Sequence, residues 1–258
     1  MTEQPPLARR DAIAQRLARG QSVTAAALAA EFAVSEDAVR RDLRALAAEG
    51  RCRRVYGGAL PAAPTATPMA VRMEEGRERK EALARLAATT IRPGELLFLD
   101  SGSTNLALVG FLPDDRELQV ATNSVAIAAA LIQRQGLRLH LVGGVADPMV
   151  GGCVDADAVL ALARLNIDRC FLGACAVDPD SGISAHDSAD AAFKRALLAA
   201  SGHSLVLATS DKFSARAPFR VAAWERIEGL VAEADAPPQA LAQLARSGVR
   251  ILQAAPPA

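Results

Sequence analysis

Aromatic residues are scarce in this chain of 258 residues, since Phe, Trp and Tyr together account for 3% of the sequence. Alanine and aliphatic residues instead supply most of the apolar residues, which make up 51%. That apolar fraction argues against wholesale disorder. Much of the core must therefore consist of small aliphatic side chains, which suits helices packed closely on a β-sheet.

Cysteine and histidine are also few. The four cysteines, Cys52, Cys153, Cys170 and Cys175, form no C-x-x-C pair, and no cluster of histidines accompanies them. This pattern argues against a zinc motif or a disulfide framework. The sequence also lacks an uncharged apolar run of about 18 residues, the length of a membrane-spanning helix. We therefore expect a cytoplasmic protein with reduced thiols, no metal, no signal peptide and no membrane span.

Net charge does not point to a nucleic-acid partner, because 29 basic residues balance 29 acidic ones. The distribution is uneven, however. Residues 1–60 hold ten arginines, no lysine and seven acidic residues, whereas the rest of the chain holds 19 basic and 22 acidic residues. A mildly basic N-terminal segment followed by a mildly acidic remainder fits an N-terminal DNA-binding domain, although it is weak evidence for one.

A stretch of Pro, Ala and Thr, Pro61–Pro68, marks the clearest boundary because it holds three prolines and no charge. It predicts an extended linker. After it, short apolar runs alternate with helical patterns, as at Leu96–Leu99, Leu137–Val142, Cys170–Leu172 and Ser204–Ala208. This alternation predicts βα units and an α/β fold with a largely parallel sheet.

Three short helical patterns precede the linker: Leu7–Ala18 before Gly20, a second pattern from the cap Thr24 to Phe32, and a third from the cap Ser35 to Gly50. The third pattern has two faces when about 100° is allowed per residue. Its apolar face carries Val39, Leu43 and Leu46, and its opposite face carries Asp37, Arg40, Arg41 and Arg44. Arginines on such a face reach phosphates and guanine edges in a major groove. The alternative is a solvated basic face on an ordinary helix.

The segment Arg51–Gly58 is basic, strand-like and ends on two glycines. It is typical of a β-hairpin wing whose arginines grip phosphates beside a recognition helix. A plain hairpin is the alternative.

Together these segments resemble the DeoR family of bacterial transcriptional regulators. The resemblance rests on Arg9 with Ile13 and Leu17, on the run Ser35–Leu43, and on Arg54–Ala59. It implies a winged helix-turn-helix at 1–60 that binds DNA through Ser35, Glu36, Asp37, Arg40, Arg41, Arg44, Arg53, Arg54, Tyr56 and Gly57. Ala38 stands where the family usually has Thr, so we assign Ala38 no polar contact. Tyr56 stands where the family often has His.

Polar loops follow several of the predicted strands. Asp100–Asn105, reading D-S-G-S-T-N, comes after Leu96–Leu99 and before a helical pattern. Backbone N–H groups and hydroxyls in such a loop form an anion site, most simply for phosphate. An ordinary capped helix after a strand is the alternative. Similar elements are Thr122-Asn123-Ser124, Gly143-Gly144, Gly173-Ala174 and Ser210-Asp211-Lys212, and the carboxyl ends of parallel strands share one crevice.

The resemblance extends to this second part, predicted as a linker at 61–70 and an α/β sensor domain at 71–258, similar to ribose-5-phosphate isomerase. Asp190 stands where the family usually has Glu, and Thr209 where Asp is common. The resemblance implies a phosphorylated sugar as effector and no other cofactor. The implied effector-binding residues are Asp100, Ser101, Gly102, Ser103, Thr104, Thr122, Asn123, Gly143, Gly144, Gly173, Asp190, Lys194 and Lys212.

Two functions fit these patterns. The first is a ligand-switched repressor of sugar metabolism genes that binds double-stranded operator DNA as a homodimer or homotetramer. The second is a sugar-phosphate isomerase, which needs a carboxylate base and usually a lysine beside the glycine-rich turn. Leu141 and Val142 precede the glycine pair here, and no lysine lies beside it. We therefore predict a regulator and not an enzyme, with no catalytic residues.

Overall fold

The computed structural model describes residues 6–18, 23–48, 52–55, 57–61, 68–114, 117–215 and 217–256. The chain divides into two compact units, residues 1–65 and 66–258. At its two ends the predicted linker overlaps regular structure, since one strand ends at Pro61 and one helix begins at Met69. The predicted helix ends at Gly20 and Gly50, as well as Arg51 and Tyr56, lie outside the described residues.

In its described residues, the first unit contains three helices and a small antiparallel sheet of strand order β1-β3-β2. Its elements are α1 (Pro6–Ala18), β1 (Val23–Thr24), α2 (Ala25–Phe32), α3 (Glu36–Ala48), β2 (Cys52–Val55) and β3 (Gly58–Pro61). Ile13, Leu28, Val39 and Leu43 are among its buried core residues. This arrangement confirms the predicted winged helix-turn-helix.

Local caps explain where the helices of this unit begin. The Thr24 hydroxyl accepts a hydrogen bond from the Ala27 amide at 3.2 Å, and the Ser35 hydroxyl accepts one from the Ala38 amide at 3.2 Å. Ala33, with a φ of 53°, takes the left-handed conformation that ends α2. Both predicted capping residues, Thr24 and Ser35, therefore precede the helices that they cap. A tight turn at Ala33 separates α2 from α3.

The second unit is built on a seven-stranded sheet of order β15-β14-β12-β9-β4-β5-β6, in which every neighbouring pair is parallel. The strands of this sheet are, in chain order, β4 (Leu96–Leu99), β5 (Gln119–Thr122), β6 (Arg138–Leu141), β9 (Ile167–Gly173), β12 (Ser201–Ala208), β14 (Gly229–Ala232) and β15 (Arg250–Gln253). The strands of smaller sheets are β7 (Ala146–Asp147), β8 (Gly152–Cys153), β10 (Ala176–Asp178), β11 (Gly182–Ala185) and β13 (Phe219–Ala222). The predicted α/β fold with a largely parallel sheet is confirmed.

Helices cover both faces of this sheet. They are α4 (Met69–Glu74), α5 (Arg77–Ala88), α6 (Ser103–Leu108), α7 (Val125–Leu131), α8 (Ala156–Leu162), α9 (Ser188–Ala199) and α10 (Pro238–Arg246). Alternate residues of each strand serve opposite faces. Leu97 and Leu99 of β4 belong to a core cluster that includes residues of α5, α6 and α7, while Phe98 belongs to the cluster that includes residues of α8, α9 and α10.

Two smaller antiparallel sheets lie outside the main one, with strand orders β10-β11-β13 and β7-β8. The short strands β7 and β8 enclose the loop 148–151, which follows β6 in the chain. An isolated bridge joins Gly152 to Ser124, just beyond β5. The loop is thereby fixed beside the carboxyl ends of the central strands.

Candidate functional site

The exposed face of α3 carries the three predicted DNA-reading arginines. The Arg40 guanidinium lies 2.7 Å from Glu36 Oε2 and 3.5 Å from Asp37 Oδ1. The Nε groups of Arg41 and Arg44 donate to backbone carbonyls one turn earlier, at 3.4 and 3.3 Å. Each guanidinium group is therefore held by a contact with the preceding turn of the helix. Its remaining N–H groups can donate to an acceptor outside the protein.

The opposite face of α3 is buried, with Val39, Leu43 and Leu46 at most 2% exposed. Asp42 lies on this side, and its Oδ2 accepts a hydrogen bond from Arg9 Nε at 2.7 Å. Arg9 and Asp42 are 5% and 4% exposed. This ion pair fixes α1 to α3. The sequence points to Arg9 only through the family resemblance and gives no signal for its pairing with Asp42.

The wing is formed by β2 and β3, with Arg53 opposite Leu60 and Arg54 opposite Ala59. The side chains of both arginines lie outside the described residues. Gly57 joins the strands with a φ of 80°. A Cβ on Gly58 would lie 2.1 Å from the Val23 carbonyl oxygen, so the pairing of β1 with β3 requires glycine there.

In the second unit, eight of the predicted effector residues lie at the carboxyl ends of three central strands: Asp100, Ser101, Gly102, Ser103 and Thr104 after β4, Thr122 and Asn123 at β5, and Gly173 at β9. Asp100, directly after β4, is fully buried. Its Oδ2 accepts hydrogen bonds from the Gly173 amide at 2.9 Å and from Lys194 Nζ at 2.7 Å. Lys194 also donates to Asp190 Oδ1 at 2.7 Å. Burial alone would lower the pKa of Lys194, but the two carboxylates raise it above its ordinary value.

Buried amides and hydroxyls hold the loop after β4 to its neighbours. Asn105 Nδ2 donates to the carbonyls of Asp100 and Phe171 at 2.9 and 2.8 Å. Asn123 accepts from the Ser101 amide at 3.0 Å and donates to the Cys153 carbonyl at 3.1 Å. Thr122 donates to the Leu99 carbonyl at 2.6 Å. The loop is therefore preorganised from three sides.

Three buried polar atoms in this cluster lack a hydrogen-bond partner among the described residues: Asp100 Oδ1, Ser101 Oγ and Asn105 Oδ1. Buried polar groups in proteins are normally satisfied, so such a group calls for a ligand, a water or a functional role. The amides of Ser103 and Thr104 open α6 and have no partner within that helix. The cluster thus offers hydrogen-bond donors for anionic oxygens and acceptors for hydroxyl groups.

Several basic residues of the second unit lie within electrostatic range of one another, and His186 also of Asp190. Lys212 pairs with Asp211 at 3.1 Å. Burial, followed by the charges of Lys212 and Arg72, lowers the pKa of His186. Burial also lowers the pKa of Lys80, and Lys212 and Arg72 lower it further. These four side chains are therefore close enough to influence one another, and the carboxylates of Glu75, Asp190 and Asp211 act on them as well.

The predicted residues Gly143 and Gly144 are exposed and are not joined to this cluster by a described contact. Gly144 lies against the carboxylate of Asp155, which caps α8 by accepting from the Ala158 amide at 2.9 Å. The backbone N–H groups that bind Asp155 lower its pKa. Asp155 is thus occupied in a helix cap and is not free to act as the carboxylate base of an isomerase.

Three other polar or aromatic residues of the second unit have structural partners. Arg79 pairs with Glu233 at 2.6 Å, and His140 contacts Gln119 at 3.0 Å. Trp224 is buried and donates to the Asp178 carbonyl at 2.8 Å. Among the described residues, no group of three His, Cys, Asp or Glu side chains is placed to hold a metal. Within the same ranges, no helix is both long and apolar enough to cross a membrane.

Known families match almost the whole chain. Residues 9–65 match the family model described as the DeoR-like helix-turn-helix domain, and residues 75–234 match that of the DeoR C terminal sensor domain. The chain is 30% identical over 212 residues to the glycerol-3-phosphate regulon repressor of Escherichia coli K12, covering 82% of this chain and 83% of that protein. It is 28% identical over 230 residues to the L-fucose operon activator of the same strain, covering 88% and 94%.

Among solved structures, ribose 5 phosphate isomerase A from Neisseria gonorrhoeae matches 54% of this chain and 55% of its own, with 15% identity and a TM-score of 0.41.

Proposed function

Because the chain belongs to the DeoR family of transcriptional regulators, we propose that it represses genes of carbohydrate metabolism and is released from its operator by a phosphorylated sugar. The family consists of DNA-binding regulators, so the chain is a regulator and not an isomerase. We propose repression because of the similarity to the glycerol-3-phosphate regulon repressor. The similarity to the L-fucose operon activator makes activation of transcription the alternative.

The effector proposal rests on the buried atoms of Asp100, Ser101 and Asn105 that find no hydrogen-bond partner within the part of the chain that the structure describes. In this proposal the Ser101 hydroxyl and the first amides of α6 donate to phosphate oxygens. The free oxygens of Asp100 and Asn105 accept from sugar hydroxyls. Lys212 contributes a point charge. Asp190 and Lys194 act through Asp100, since the contacts of Lys194 described above are with carboxylates of the protein.

The DNA-reading part of the proposal rests on α3. Arg40, Arg41 and Arg44 are exposed on one face, and the charged residues Glu36 and Asp37 lie beside them. Arg53, Arg54, Tyr56 and Gly57 of the wing would contact phosphates, and Ser35 would position the start of the helix. Paired half-sites would require two copies, so we propose a homodimer or homotetramer acting on operator DNA in the cytoplasm.

A thermal-shift screen of phosphorylated sugars and polyols tests the effector site. A ligand that binds only the native state raises its melting temperature. We expect at least one compound to stabilise the wild-type protein, and the Ser101→Ala variant to need about 10-fold to 100-fold more of it, because one hydrogen bond to a charged group is lost. Removing an unsatisfied buried hydroxyl should leave the melting temperature without ligand unchanged or slightly higher.

Ser188→Ala is the matched control, because Ser188 is an exposed serine at the start of α9. It should respond to ligand as the wild type does. The proposed effector class is contradicted if no phosphorylated compound shifts the wild-type melting temperature. The assignment of Ser101 is contradicted if Ser101→Ala and Ser188→Ala respond equally.

A further inference from the structure

Helix α4 is the first regular element after the segment that joins the two units, and it is attached to the wall of the proposed effector pocket. Arg72 donates to the carbonyls of Met149 and Val150 at 2.9 and 3.2 Å. The Met69 amide donates to the Pro148 carbonyl at 3.4 Å. These contacts join residues almost eighty positions apart in the chain, so they are tertiary contacts rather than local turns.

Side-chain packing closes the same junction. Met69 is 4% exposed, and its side chain lies directly on Gly151. A Cβ on Gly151 would lie 2.4 Å from Met69 Cγ, and the φ of Gly151 is 82°. Only glycine therefore allows α4 to approach the loop 148–151 this closely.

That loop is joined in turn to the residues that line the pocket. The Gly151 carbonyl accepts from the Val125 amide and the Ser124 hydroxyl, both at 3.3 Å. The Cys153 amide donates to the Asn123 carbonyl at 2.9 Å, and the Asn123 side chain holds the Ser101 amide. Hydrogen bonds and short stretches of backbone thus connect Ser101, through Asn123 and the loop, to Arg72.

We propose that α4 is a strap whose attachment to the body depends on occupancy of the pocket, and that Arg72 is the positioning residue for this coupling. The inference rests on the proposed effector site. A ligand that binds Ser101 restricts the motion of Asn123 and of the loop 148–151. Because Arg72 is hydrogen-bonded to that loop, the motion of α4 is restricted as well. Because α4 follows the inter-unit segment directly, this path links ligand binding to the point where the chain enters the DNA-binding unit.

Hydrogen–deuterium exchange of the full-length protein tests the strap, with inorganic phosphate at saturating concentration as the probe. In the wild type, phosphate should slow exchange in peptides covering 101–106, 147–153 and 68–75, by about twofold or more in the last. In Arg72→Ala, phosphate should still protect 101–106 but should no longer change exchange in 68–75.

Arg77→Ala is the matched control. Arg77 lies one turn beyond α4, its side chain is 84% exposed, and it pairs only with Glu81 among the ion pairs described. It should behave as the wild type does. A purely structural role for Arg72 would raise exchange of 68–75 in Arg72→Ala yet preserve the effect of phosphate on that peptide.

The outcomes separate the strap from the pocket. If phosphate protects 101–106 but leaves 68–75 unchanged in the wild type, or slows it equally in Arg72→Ala, the strap is wrong and the effector site stands. If phosphate fails to protect 101–106 in the wild type, the anion site is wrong and the strap falls with it.

Discussion

Individual buried charges of this protein are joined in specific pairs, and each pair holds two elements together. Arg9 joins α1 to Asp42 of α3. Arg169 of β9 makes two hydrogen bonds, at 3.1 and 3.0 Å, to Glu95 just before β4. Removing one member of a buried pair costs far more than removing an exposed ion pair, because the remaining charge stays desolvated.

The substitution Asp42→Ala would leave the buried Arg9 without its carboxylate partner. We expect the DNA-binding unit to lose about 3–5 kcal/mol of unfolding free energy, as for other broken buried pairs. Urea denaturation followed by circular dichroism measures this loss. Glu31→Ala is the control, because it breaks the exposed pair with Arg16 and should change stability little. Equal effects of the two variants would contradict a special role for Arg9 and Asp42.

The second prediction is a pH dependence at Glu95. Burial raises the pKa of this carboxyl, but Arg169 and the Arg92 amide outweigh it and hold the pKa below the ordinary value of 4.5. A carboxyl with a lowered folded-state pKa stabilises the fold above pH 4.5 and loses that contribution as the pH falls. Glu95→Gln should therefore be less stable than wild type at pH 7.

The difference between Glu95→Gln and wild type should shrink as the pH falls below 4.5, the ordinary carboxyl pKa. Chemical denaturation at a series of pH values measures it. A difference that stays constant between pH 7 and pH 3, where acid protonates most carboxyls, would show that Glu95 carries no pairing of this kind.

At the scale of elements, the short loop after β4 depends on close packing against the end of β9. A Cβ on Gly173 would lie 2.8 Å from the Ser101 carbonyl oxygen and 3.3 Å from Asp100 Oδ2. Gly173→Ala should therefore displace the loop, lower stability by about 1–3 kcal/mol as overpacking does, and weaken any ligand-induced thermal shift. Gly110→Ala is the control, because its Cβ would meet no atom within 4 Å. Equal ligand responses would contradict this role for Gly173.

The sequence predicts those elements whose signals are local. The periodicity of α3 places Val39, Leu43 and Leu46 inside and the arginines outside, and the caps Thr24 and Ser35 mark where helices begin. Polar residues after apolar runs mark the loop at Asp100. The i, i+4 spacing of Asp190 and Lys194 brings these two side chains onto one face of α9.

Other features depend on which elements become neighbours, so the sequence does not reveal them. The Arg9–Asp42 pair needs the crossing of two helices, and the contact of Arg72 with Met149 needs a loop distant in the chain. The order of strands that places β9 between β4 and β12 is likewise a tertiary result. Gly143 and Gly144 follow a strand as predicted, yet β6 is at the edge of the sheet, away from the center of the cluster.

At the scale of the whole molecule, positive and negative charges are distributed unevenly along the chain. The first 60 residues carry ten arginines against seven acidic residues, whereas the remainder carries an excess of acidic residues. Within that remainder the basic side chains of Lys80 and Lys212 lie within electrostatic range of each other. The local arrangement of charges, and not the net charge, determines what binds. One chain thus combines a helix with three exposed arginines and a remainder with an excess of acidic residues.

The most direct test of the account is operator affinity, measured by fluorescence anisotropy with the full-length protein and labelled operator DNA. We predict that Arg40→Ala and Arg44→Ala each weaken operator binding by about 10-fold or more, since a good arginine–base contact is worth about 1–3 kcal/mol. Both variants should keep the wild-type thermal shift with ligand, and Arg77→Ala should bind operator normally. Unchanged operator affinity in both Arg40→Ala and Arg44→Ala would contradict the assignment of α3 as the DNA-reading helix.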